Sequence, residues 1–121
     1  MDSVPTNRII LRVKLSAAYY DVIQADRGGT ALALLRKLSP DLVITAADLP
    51  DMTGEALCQQ IRALPVAPDT PVILIHPASD RPQRMRALAA GADDMLSRPV
   101  DELVLLARLR SLLRARHAED E

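Results

Sequence analysis

Pro40-Asp41-Leu42-Val43-Ile44-Thr45-Ala46, followed by Asp48-Leu49-Pro50-Asp51-Met52-Thr53-Gly54, decides how the rest of the chain reads. Asp41–Ala46 is a nearly continuous apolar run closed by a loop of turn-forming residues. A strand with one face in water alternates apolar and polar residues, whereas a strand covered on both faces does not. Val72-Ile73-Leu74-Ile75 repeats the continuous pattern, and Ala92–Leu96 gives a shorter version of it. Between these runs the apolar period changes to that of a helix. Glu55–Leu64 is one such segment. Another opens at Ser79 or Asp80, turns Met85, Leu88 and Ala89 inward, and stops at Gly91. Arg98-Pro99 reads as a turn and Val100–Arg114 as a long final helix.

Upstream, Thr30 is expected to cap a helix ending at Leu38, with Ala31, Leu34, Leu35 and Leu38 on one face and Ser39-Pro40 as its stop. Asp21–Ala25 reads as a short strand closed by Arg27-Gly28-Gly29. Before it, Ile10, Val13, Ala17 and Tyr20 recur at helical spacing after Pro5. Strands alternating with helices imply a parallel sheet with helices on both faces, and its functional crevice lies beyond the carboxyl ends of the strands.

Composition narrows the function. The 121 residues carry a formal charge of -1, which removes the basic footprint of a general nucleic-acid binder. Aromatic residues make up only 2% of the chain, too few for base-stacking platforms. Cys58 stands alone, so no internal disulfide or multi-cysteine metal site forms, and its place beside Leu57 and Ile61 points to packing. No apolar run is long enough to span a bilayer and no basic-then-apolar leader is read at the start, so a cytoplasmic location without membrane contact is expected.

The segment from Pro40 to Gly54 resembles the third strand and loop of a response-regulator receiver domain. Gly91-Ala92-Asp93-Asp94-Met95-Leu96-Ser97-Arg98-Pro99-Val100 resembles the receiver segment running into its last helix. Leu103–Arg114 and Lys14-Leu15-Ser16-Ala17-Ala18-Tyr19-Tyr20-Asp21-Val22 resemble the receivers of receiver–diguanylate cyclase proteins. The resemblance covers nearly the whole chain, with residues 1–116 as the domain and 117–121 as a tail. It implies a flavodoxin-like (CheY-like) doubly wound sheet of strand order 2-1-3-4-5. The family's first strand belongs before Asp2, where only Met1 stands. The resemblance therefore implies that this central strand is missing, or supplied by rearrangement, strand exchange or another chain.

Receivers take a phosphoryl group from a histidine kinase onto an aspartate at the end of the third strand, using Mg²⁺, a lysine and a Thr/Ser hydroxyl. By position, the acceptor here is Ala46, the hydroxyl residue is His76 and the lysine is Arg98. The acidic pair is represented by Asp2 and Ser3, and Asp48 falls where a backbone carbonyl serves the metal. A methyl group cannot be phosphorylated, and one remaining carboxylate should bind Mg²⁺ weakly or not at all. The resemblance thus implies a degenerate, non-enzymatic receiver needing no cofactor and holding no metal. His76 reads as a polar loop residue beside Pro77, against the sharper roles of ligand, base or phosphorylated residue. Arg98 reads as the partner of Asp2 or Asp48 in a salt bridge, against an anion-gripping role. Asp51 reads as turn chemistry. By resemblance, Pro99 follows a cis peptide bond.

The final helix has two apolar stripes: Leu103, Leu106 and Leu113 on one side, and Leu105, Leu109 and Leu112 on the other. One stripe suffices to cover the sheet, so the second points to a partner. Arg84, Asp94, Asp101 and Arg108 are placed to flank a dimer face containing Leu105, Leu109 and Leu112. The expected partners are a second copy, a downstream output domain such as a diguanylate cyclase, or a sensor kinase. Two alternatives stand beside this reading: a working phospho-acceptor that uses Asp48 or His76, and a small-ligand flavodoxin-like module. The latter lacks a glycine-rich phosphate loop.

Overall fold

The computed structural model describes residues 26–38, 40–65, 69–76, 81–98 and 100–120. The expected helix from Pro5, the strand at 21–25, the question of the first strand, Asp2, Ser3 and the Arg98–Pro99 peptide bond all lie outside the described residues. Inside them the elements are α1 (Gly28–Leu38), β1 (Val43–Ala46), α2 (Gly54–Arg62), β2 (Val72–His76), α3 (Arg81–Ala89), β3 (Asp94–Ser97) and α4 (Glu102–Asp120).

The continuous apolar runs do become parallel strands. They lie in the order β1-β2-β3, with Val43 opposite Val72, Ala46 opposite Ile75, Ile73 opposite Asp94 and His76 opposite Ser97. Both faces are covered, which is why the runs do not alternate. On one face Val43, Val72 and Leu74 pack with Leu35, Leu57, Ile61 and Ala87, residues drawn from α1, α2 and α3. On the other, Ile73 packs with Leu105 and Leu109 of α4, beside Ile44 and Leu96. The doubly wound arrangement expected from the sequence is present.

Three expectations about helix orientation are corrected. First, α1 begins at Gly28 and not at Thr30. The cap comes from elsewhere in the chain: the Asp51 carboxylate accepts from the N–H groups of Gly28 and Gly29, each at 2.9 Å, so two otherwise orphaned donors are satisfied before Thr30 is reached.

Second, Met85, Leu88 and Ala89 of α3 face outward, Met85 at 60% exposure, while Ala87 and Ala90 are buried. The C-terminal turn fixes this phase. Gly91 adopts φ 94, where a side chain is strained, and the N–H of Ala92 reaches back to the carbonyl of Ala87 at 3.0 Å. Gly91 is the stop that the sequence indicated.

Third, the two stripes of α4 do not separate as expected, since Leu106 of one packs on the sheet beside Leu105, Leu109 and Leu112 of the other. Leu105 and Leu109 are the core stripe and Leu112 packs against it, whereas Leu103 is 78% exposed and Val104 is also exposed. Asp101 sets the rotation as an N-cap, its carboxylate accepting from the N–H groups of Leu103 at 2.9 Å and Val104 at 3.3 Å. The helix also runs on to Asp120, through residues read as a tail. Leu, Arg and Ala dominate the helix as a whole, and neither Gly nor Pro interrupts it before its end.

Candidate functional site

The carboxyl ends of the three strands bring together the positions singled out in the sequence. Ala46 ends β1, His76 ends β2, and Arg98 follows β3 with its backbone N–H donating to the His76 carbonyl at 2.9 Å. Ala46 is 6% exposed and offers only a methyl group. Asp48 is exposed and forms an isolated antiparallel bridge with Thr53, which closes the loop after β1. Among the described residues no three His, Cys, Asp or Glu side chains gather as a cation site. Asp2 and Ser3, the positions expected to hold the acidic pair, lie outside the described residues.

His76 is not a loop residue. It is the last residue of a strand buried along its whole length, and it is itself 4% exposed. Its Nε2 lies 3.1 Å from Oε1 of Glu55, yet that nitrogen has no aligned hydrogen-bond partner. The separation defines a close electrostatic contact, and the angle denies it the geometry of a full hydrogen bond. Glu55 was not found from the sequence. It becomes a neighbour of His76 only through the packing of α2 on the sheet. Gly54, the residue before it, donates to the Ala47 carbonyl at 2.7 Å, and Ala47 donates to the Ile75 carbonyl at 2.9 Å.

The loop between β1 and α2 has a second function. Thr53 caps α2, its hydroxyl accepting from Ala56 N–H at 3.0 Å, while Asp51 caps α1. Asp51 therefore does more than the local turn chemistry expected of it: it ties two helices together across the loop. The N–H groups of Gly29 and Gly28 hold its carboxyl below the usual aspartate value, with a further contribution from the Arg27 charge. The sign follows: its stabilising contribution is present above the ordinary aspartate pKa of about 4 and is lost as pH falls through the lower bound-state value. Asp51→Asn is expected to melt at a lower temperature than wild type at neutral pH, and to lack this part of the wild-type decline on acidification. Thermal unfolding followed from neutral pH down to about pH 3 checks both.

Several charges assigned to a dimer face have partners within the chain. Arg108 Nε pairs with Asp94 Oδ2 at 3.1 Å, and Asp101 is engaged as the α4 cap. Leu105, Leu109 and Leu112 are removed from that face because they cover the sheet. Arg84 remains exposed on α3. Cys58 is buried, and burial pushes its thiol up, away from the reactive thiolate, as its packing role requires.

A parallel sheet wrapped on both faces, with its singled-out residues along the carboxyl edge, defines a class. The sequence profile of the response regulator receiver domain matches residues 1–110, and the chain belongs to that family of CheY-like modules of two-component phosphorelay signalling. Among curated proteins it is 36% identical to Response regulator PleD of Caulobacter vibrioides (strain NA1000 / CB15N), covering 100% of this chain and 27% of that protein. It is 34% identical to the Phosphate regulon transcriptional regulatory protein PhoB of Rhizobium meliloti, covering 88% of this chain and 47% of that one. The chain thus spans half or less of the length of these relatives. Among solved structures it resembles the signal receiver domain of a signal transduction histidine kinase from Syntrophus aciditrophicus, with a TM-score of 0.87 and 31% identity over 95% of this chain and 87% of that one. It also resembles Vibrio cholerae chemotaxis protein CheY4, with a TM-score of 0.86 and 26% identity over 92% of each chain. No helix among the described residues is long and apolar enough to cross a membrane.

Proposed function

We propose that this receiver domain signals through protein contacts without aspartyl phosphorylation. Ala46 is the observation behind the proposal. It stands at the tip of β1, buried, where the family resemblance places the acceptor carboxylate, and no carboxylate among the described residues gathers with two others to hold a divalent cation. Without a nucleophile and a metal to neutralise the phosphoryl oxygens, the transfer step has neither an attacking atom nor charge stabilisation. The domain acts as a non-enzymatic adaptor for a kinase or an output domain in the cytoplasm, without contact to nucleic acid or membrane. The similarity to PleD favours a diguanylate cyclase as the output.

The partner surface proposed is the side formed by α3, β3 and α4, with a second copy of the chain as its occupant. It presents Met85, Leu88, Leu103 and Val104, all exposed and apolar, around the β3 edge. Arg84 and the Asp94–Arg108 pair flank them. Native mass spectrometry before and after treatment with acetyl phosphate and Mg²⁺ tests both parts. The expected spectrum is a dimer whose mass is unchanged by the phosphodonor. A stable phosphoryl adduct mapped to Asp48 or His76 overturns the proposal in favour of a working acceptor. A strictly monomeric spectrum removes the second copy.

A further inference from the structure

We propose that Glu55 is the resident anion of the carboxyl edge, seated beside His76 where a small external oxyanion would have to bind. The inference rests on the reading of a receiver that takes no phosphoryl group, and it states how the vacated site is closed. His76 Nε2 has no contact with solvent and no aligned partner, and the atom it faces is Oε1 of Glu55 at 3.1 Å. A carboxylate only accepts hydrogen bonds, so the imidazole must carry its proton on Nε2 for the pair to be favourable. A second anion brought to the same nitrogen meets the Glu55 charge at close range, and like charges in a partly desolvated site repel strongly.

Glu55 is a removable plug. It sits in the first turn of α2 with its side chain at 20% exposure, so the carboxylate already borders water. What it uncovers is a buried imidazole, beside the Arg98 backbone that follows β3. Asp48 lies exposed at the end of β1 on the same edge. The chemistry suits a tetrahedral oxyanion, with inorganic phosphate and sulfate as equivalent probes.

The test is an amide NMR titration with each salt, run on wild type and variants at one fixed pH. Wild type is expected to show no saturable shifts. Glu55→Ala is expected to show them at Ala46, Ala47, His76, Ser97 and Arg98, with affinity at least about tenfold above wild type. Glu55→Gln keeps the shape of the side chain and removes its charge, and should fall between the two. Adding His76→Asn to Glu55→Ala should abolish the response. Binding by wild type equal to that of Glu55→Ala, no binding by either Glu55 variant, or binding that survives loss of His76 overturns the inference. A phosphoryl adduct on wild type, read as mass and not as shifts, overturns the underlying reading instead.

Discussion

Arg62→Ala is expected to lower the stability of the domain by about 3 kcal/mol, through loss of charge-assisted hydrogen bonds to groups that water cannot fully recover. For a chain of this size that is a fall of roughly 10 °C in Tm. Arg62 lies at the end of α2, and its guanidinium fastens the amino ends of β2 and β3. Its Nε and one terminal nitrogen donate to the Gly91 carbonyl at 3.1 and 2.7 Å, and the other terminal nitrogen donates to the Thr70 carbonyl. It also meets Asp93 Oδ2 at 2.9 Å, and the same oxygen accepts from the Val72 N–H at 2.8 Å. Truncation removes the guanidinium from both carbonyls and leaves Asp93 with the backbone donor of Val72. Arg62→Lys restores the charge but not the planar fork, so it should recover only part of the loss. Thermal melts of the three proteins decide the matter. A melting point for Arg62→Ala within a degree or two of wild type would show that the clamp is ornamental.

Gly54→Ala is the second large effect, of about 2–3 kcal/mol, and its cause is overpacking. A Cβ built at Gly54 lies 2.5 Å from the Ala46 carbonyl oxygen and 2.8 Å from Leu74 Cδ2. Backbone cannot yield as a flexible side chain does, so either α2 shifts away from the sheet or the strand end deforms. Because Gly54 N–H donates to the Ala47 carbonyl, a shift also loosens the bond that seats α2 over the site. Chemical denaturation should give a lower midpoint, with shifts concentrated at the ends of β1 and β2. An unchanged midpoint would mean that the close approach carries no energetic weight.

The fold was legible because its strongest signals are local. Asp41–Ala46 and Val72–Ile75 are apolar on both faces, and Gly91 stops a helix by a backbone requirement that only glycine meets cheaply. Helix phase was not legible where two apolar stripes competed. Leu105 and Leu103 are equally hydrophobic, and the Asp101 cap together with packing on Ile73 chose between them. The edge residues Ala46, His76 and Arg98 were readable because each ends a strand or directly follows one. Glu55 and the cap of α1 by Asp51 were not, since both contacts join residues more than twenty positions apart that only tertiary packing brings together.

The clamp of Arg62 and the site of Ala46 and His76 occupy opposite rims of the same sheet. The carbonyls of Thr70 and Gly91 and the Asp93 carboxylate, which Arg62 engages, stand apart from residues 46, 48, 76 and 98. Substitution at the chemical rim is therefore thermodynamically insulated from the fastening of the strands. A side chain can be exchanged at the carboxyl rim without removing the hydrogen bonds that Arg62 makes at the other, so the fastening of the strands outlasts change at that edge.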